Sequence, residues 1–246
     1  MVVKPVVLLG AAVHTRNNKP GQDYDWFIKV GDMQLFENMD KIYRVALRDI
    51  GGEVPRLAVL IDGQRVGFLM GELPSPRMDH SNRVIYDTLY LEFDTQYQRS
   101  VLHAAAVLLL CSKNTYKPHE QHFTDYAEML FQTAPGTHLP PIKLPVVHKQ
   151  PNFNLEPINT KKLALFSNPE NRNRCARYLI NFDYKNNNTN NTFSFVSTGR
   201  VSLEKCQQIA DLNDECVLLT LSSEVQSEQN LKKGQLSRFK RILKLT

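Results

Sequence analysis

Short apolar runs dominate the first hundred positions of the chain: Val6 to Val13, Trp26 to Val30, Ile42 to Arg48, Leu57 to Ile61, Val66 to Met70 and Val84 to Phe93. Each is rich in β-branched or aromatic residues and predicts a strand. Asp62-Gly63 separates two of these runs and suits a type I′ turn, so Leu57 to Met70 reads as a hairpin. Within Val84 to Phe93 the odd positions are apolar except for Asp87, and the even positions mix aromatic and polar residues. Period two therefore carries Asp87 onto the apolar face.

The period then lengthens. Tyr97 to Cys111 and His119 to Gln132 predict two helices, and the first is apolar almost all round, as a helix buried against a sheet is. Six of the 13 prolines fall between Pro135 and Pro157, a density that removes backbone donors and favours extended chain. Beyond it strand and helix alternate: Leu163 to Phe166, Pro169 to Phe182, Phe193 to Thr198, Leu203 to Leu212 and Cys216 to Leu221. That order implies parallel pairing through right-handed crossovers. Ser167 and Glu170 have capping-box spacing at the first of these helices. The segment from Leu231 predicts an amphipathic helix, with Leu236, Phe239, Ile242 and Leu243 opposite Lys233, Lys240, Arg241 and Lys244.

These elements give an α/β chain in two parts: an N-terminal α+β domain over 1–135 with an antiparallel or mixed sheet and two helices, and a smaller C-terminal α/β domain over 161–246 with a parallel sheet and a basic terminal helix. A proline-rich connector, 136–160, is expected between them. At 246 residues, with 42% hydrophobic and 22% charged, the composition is that of a folded protein with a substantial core. No apolar run approaches the roughly 20 residues that span a bilayer, so no membrane insertion is expected. Cys111, Cys175, Cys206 and Cys216 have neither zinc-site nor disulfide-framework spacing. Reduced core thiols and a cytoplasmic setting follow as expectations.

Charge changes the picture more than composition does. The residues after Pro135 hold 16 of the 30 Lys and Arg but 9 of the 25 acids, a balance of +7 against −2 before it. Part of the excess lies in the terminal segment; part lies in Arg172, Arg174 and Arg177 at the start of a helix, where free amides and the helix dipole favour an anion. Together they are the expected contact to nucleic-acid backbone, DNA or RNA.

Candidate chemistry is thinner. The loop from Pro74 to Arg83 holds Arg77 and Arg83 as anion-holding groups, and Asp79 and His80 as an acid/base pair, with Asp87 as orienter from the strand. Its plainer reading is a turn fixed by Arg–Asp pairing. His119 and His122, three apart on a helix, form too small a set for a metal, so neither metal nor cofactor is expected. The sequence holds no GxGxxG, GxxxxGK[ST], GxSxG or HExxH. The reading is therefore a non-catalytic accessory or adaptor subunit of a larger assembly, with a protein partner and an anionic partner. The alternatives are a hydrolase or nuclease using the Arg77–Arg83 loop with Asp87, and a nucleotide sensor at the strand ends near Ser167, Thr198 and Ser222.

Overall fold

A computed structural model describes residues 5–16, 23–47, 55–133, 138–146, 156–159, 161–182, 191–225 and 227–231. The terminal helix expected from Leu231, with Lys233, Lys240, Arg241 and Lys244, lies outside the described residues, apart from Leu231 itself. Among the described residues nine strands form a single sheet: β1 (Gly10–Thr15), β2 (Asp25–Gly31), β3 (Leu57–Ile61), β4 (Arg65–Met78), β5 (Val84–Asp94), β6 (Lys162–Phe166), β7 (Phe193–Ser197), β8 (Glu215–Thr220) and β9 (Glu228–Asn230). Their order across the sheet is β2-β1-β5-β4-β3-β7-β8-β6-β9. The fold is mixed α/β, as the alternation of periods predicts.

The two pairing modes fall where the sequence places them. Strands β1 to β5 pair antiparallel, while β8 lies parallel to both β7 and β6. They are two ends of one sheet, because β3 pairs antiparallel with β7 from Leu57↔Ser197 to Ile61↔Phe193. The described parts of the proline-rich segment pack on the same core: Ile142 exchanges both backbone hydrogen bonds with Val6, at 2.8 and 3.0 Å, and Leu139, Leu144 and Ile158 are buried.

Helices cover both faces. On one lie α2 (Gln98–Leu110), α3 (Lys113–Gln132) and α4 (Pro169–Asn181), whose Leu108, Phe123 and Leu179 share a cluster with Val59, Phe68 and Leu91 from the sheet. On the other lie α1 (Phe36–Ile42), the π-helical turn Tyr43–Leu47 and α5 (Leu203–Asp211), packed around Tyr90, Leu60 and Leu218. Two covered faces explain why β3, β6 and β8 read as continuous apolar runs and not as alternating ones. Ala104, Ala105 and Ala106 are fully buried; their small side chains let α2 lie against its neighbours.

Several local expectations change: β1 spans Gly10–Thr15 where a strand over Val6 to Val13 is expected, and β4 runs on to Met78. Ile42 to Arg48, predicted as a strand, is the end of α1 and the π-helical turn through Leu47, because Leu35, Met39, Ile42 and Ala46 bury one helical stripe. The hairpin forms, with Asp62 and Arg65 flanking a Gly63-Gln64 centre; Gly63 alone has positive φ, +93°, the pattern of a type II′ turn. Asn168, not Ser167, caps α4 by accepting from the Asn171 N–H at 2.7 Å. Finally, α3 begins six residues earlier than expected, capped by Ser112, and carries Pro118 within it.

Candidate functional site

The expected loop from Pro74 is in part strand: β4 runs to Met78, so Arg77 is a strand residue, and only the turn 79–83 follows it. Arg77 donates from its NH2 group to both Asp87 oxygens at 3.0 Å and to Thr15 at 2.9 Å, from Nε to Glu128 at 2.8 Å, and from NH1 to the Arg16 carbonyl. Its Cζ lies 3.9 Å from the Phe131 ring centre, and Thr15 Oγ1 also donates to Asp87. Asp87 is buried on the apolar side, as period two predicts, and burial pushes its carboxyl pKa up against the pull of Thr15 and Arg77. This pair fixes β1, β4, β5 and α3 to one another.

Asp79 closes the turn itself. It accepts from the backbone N–H groups of Ser81 and Arg83, at 2.7 and 3.0 Å, and from Arg83 Nε at 2.8 Å, while Arg16 NH1 lies 3.5 Å away. The Arg83 N–H first, then Ser81 and the Arg83 guanidinium, hold the carboxyl down at about 2 against the opposing effect of burial. His80 is exposed on the turn. The hydrogen bonds of Asp79 thus run to Ser81 and Arg83, so the Arg–Asp pairing of the plainer reading is what the geometry displays.

The three arginines of α4 part company. Residues 172 and 174 are about 200° apart on a helix, and Arg174 turns to Glu228 on β9 at 3.1 Å and to Asn171 and the Glu156 carbonyl. Arg177 is half-buried. Arg172 faces elsewhere, into a groove of about 870 Å³ between the two halves of the chain. The hydroxyls at the strand ends are mostly bound inward: Thr198 donates to the Ala46 carbonyl, Thr220 to the Gly199 carbonyl at 2.8 Å, and Ser222 accepts from the Glu224 N–H. Ser167 Oγ is buried with no hydrogen-bond partner among the described residues.

His122 gives its Nε2 to the Lys143 carbonyl at 2.8 Å, and no set of three His, Cys, Asp or Glu side chains gathers as for a metal among the described residues. Trp26 is an anchor, edge-on to Phe36 and Tyr43, with Nε1 donating to Asp40 at 2.7 Å. The four cysteines are free thiols; burial pushes Cys175, Cys206 and Cys216 up to about 12. None of the helices among the described residues is long and apolar enough to cross a membrane.

The groove is the feature that sequence spacing misses. Its floor is Arg56, Gly71 and Glu72; one wall is the end of α2 and the first turns of α3, with Cys111, Lys113, Tyr116, Lys117 and Glu120; the other is Pro169, Arg172 and Asn173 of α4. Tyr86, 38% exposed, stands at the rim. The volume suits a nucleotide-sized ligand. Four cations meet two acids here, and Lys113 and Lys117 occupy the first two turns of α3, which has no acid in its first turn. A helix N-terminus favours anions and disfavours cations, so this arrangement raises the positive potential at the cost of helix stability. Burial pushes Glu120 up, and Glu72 adds to that rise while Lys117 opposes it. The signals in the sequence were Ser112 as a cap and Gly71-Glu72 as an interruption of a strand; neither shows that they meet.

The chain matches no family model, and neither curated proteins nor solved structures give a significant match to it.

Proposed function

We propose that this protein is a non-catalytic accessory or adaptor subunit that holds nucleic-acid backbone in the groove between its two halves. The observation that supports this most is the gathering of Lys113, Lys117, Arg172 and Arg56 on one cavity, two of them at the positive end of α3 where they work against the helix. Tyr86 at the rim offers a face on which an unpaired base stacks. The sequence-level expectation of a C-terminal anionic contact is kept for Arg172 and moved, for the rest, toward the centre of the molecule. Lys233, Lys240, Arg241 and Lys244 stay candidate contacts to the same anion on their sequence alone.

The rival hydrolase or nuclease at the Arg77–Arg83 loop draws little support, since Asp79, Asp87 and Arg77 are bound to groups of the chain itself. The nucleotide sensor draws little more, since Thr198 and Ser222 close their own loops. Fluorescence anisotropy with a labelled oligothymidylate tests the proposal. The wild-type protein is expected to bind with an affinity that falls as salt rises. Lys113→Glu, Lys117→Glu and Arg172→Glu together are expected to weaken binding by about 100-fold, each reversal contributing on the order of 1 kcal/mol. Equal binding by wild type and triple variant refutes it.

A further inference from the structure

Two carboxylates line the groove, and they differ in what meets them. Glu72 has its Oε2 2.9 Å from Arg56 Nε and comes from an irregularity in β4 between Met70 and Leu73, where its own φ is +59°. A residue with a Cβ enters that left-handed region at a cost. Glu120 is half-buried in the wall, and among the described residues its carboxylate accepts no hydrogen bond and closes no ion pair. Burial pushes its pKa up, against the pull of Lys117 and with a push from Glu72. A carboxylate in that position repels the phosphates that the surrounding cations attract. Its place in the groove calls for a ligand that brings donors of its own. Lys113, Tyr116, Lys117 and Glu120, all on the groove, follow one another at helical positions i, i+3, i+4 and i+7, a single face of α3.

The groove also lies where open α/β sheets hold nucleotides, outside the carboxyl ends of parallel strands. The first turn of α4 follows the carboxyl end of β6, and Pro55 sits against the carboxyl end of β7, its carbonyl accepting from Ser197 Oγ at 2.7 Å. Resting on the reading of the groove as a phosphate site, we propose that its ligand carries a guanine nucleotide and that Glu120 reads the base. Guanine has two adjacent donors, N1–H and N2–H, on its Watson–Crick edge. A carboxylate meets them with both oxygens, in the paired geometry it offers to a guanidinium. Adenine and cytosine set an acceptor beside their donor group there, and thymine flanks its donor with two carbonyls, so each turns a lone pair toward the carboxylate and is disfavoured. Lys113 stands two turns before Glu120, about 10 Å along the axis, a separation that one nucleotide spans from its phosphate to the edge of its base. Lys117 and Arg172 take neighbouring phosphate oxygens, and Tyr116, one turn before Glu120, offers a ring beside the base. Guanine in an unpaired strand and a free guanine nucleotide share this chemistry.

Fluorescence anisotropy with the full chain compares a labelled oligothymidylate with the same oligomer carrying one guanine, adenine or cytosine in place of a thymine. Wild type is expected to bind the guanine oligomer about tenfold tighter than the other three. Glu120→Gln keeps the shape of the side chain and is expected to keep the melting temperature. Its amide presents one acceptor and one donor, so the guanine preference is expected to vanish while oligothymidylate binding holds or tightens. An acid that only tempers the positive groove predicts instead that Glu120→Gln tightens all four oligomers alike and leaves their ranking unchanged, and that result overturns the proposal. A guanine preference that Glu120→Gln retains overturns it as well, because another group then reads the base. So does a wild type that binds all four oligomers equally; should the triple reversal of Lys113, Lys117 and Arg172 still weaken oligothymidylate, the groove reading survives alone. If wild type binds neither oligomer nor nucleotide, both readings are lost. Isothermal titration with guanosine and adenosine monophosphate separates the sources: guanosine monophosphate bound about tenfold tighter, with no oligomer bound, supports Glu120 as the reader and overturns the strand as the source of the guanine.

Discussion

Two clusters of opposite charge sit on the same sheet, joined through β4, and they differ in how their charges are answered. Around Arg77 each nitrogen of the guanidinium donates to an acceptor of the chain, and Asp87, Thr15, Glu128 and Phe131 surround it. In the groove Arg56 is held by Glu72 and the Leu47 carbonyl, while Lys113, Lys117 and Arg172 line the open cavity. Both clusters have arginine near carboxylate. What separates a brace from a binding surface is whether the charges close on themselves, and whether the backbone and the helix dipoles are arranged at a cost to keep them open.

Breaking the brace should do the most damage. Asp87→Ala removes one of the two carboxylates on Arg77, leaving Glu128 and unpaired donors in a partly buried site, and is expected to cost about 3 kcal/mol in urea unfolding while the remaining folded protein binds oligothymidylate normally. A loss of binding with intact stability would instead place function in the loop. Reversing Lys113, Lys117 and Arg172 is next, and it separates the two clusters in the other direction: binding falls with no loss of unfolding stability. Acid comes third. The Asp79 carboxyl is held at about 2 in the folded chain, below the ordinary value near 4, so its contribution is present above the unfolded value and is lost as pH falls through the folded one. Wild type and Asp79→Asn should therefore converge in stability between about pH 4 and pH 2, as followed by circular dichroism. The smallest effect is the most pointed: Lys113→Glu alone puts an acid at the positive end of α3, and thermal unfolding should show a gain of about 0.3–1 kcal/mol alongside weaker binding.

The sequence makes the loop conspicuous and hides the groove for a physical reason. Arg77, Asp79, His80 and Arg83 are close in the chain, so their types can be read together, and period two even places Asp87 on the buried face. The groove draws on the residue before β3, a bulge in β4, the α2–α3 junction and the first turn of α4, and no spacing links them. The pattern predicts a helix over His119 to Gln132, yet α3 runs from Lys113 through Pro118, and only with that start do Lys113 and Lys117 stand at a helix N-terminus. Ile42 to Arg48 shows the same kind of failure in reverse, since β-branched and aromatic residues suggest a strand although the stripe of Leu35, Met39, Ile42 and Ala46 has helical spacing. The alternation after Pro157 is legible because strand, cap and helix each follow local rules. The continuity of the sheet is not, because the β3–β7 pair joins residues more than a hundred apart.

Hydrogen exchange with and without a saturating oligothymidylate compares the two clusters in one experiment. The account predicts slowed exchange at 55–57, 111–120 and 169–174, around Arg56 and at the starts of α3 and α4, with no change at 77–87. Protection confined to 77–87, or no protection in the groove when ligand is bound, would contradict it.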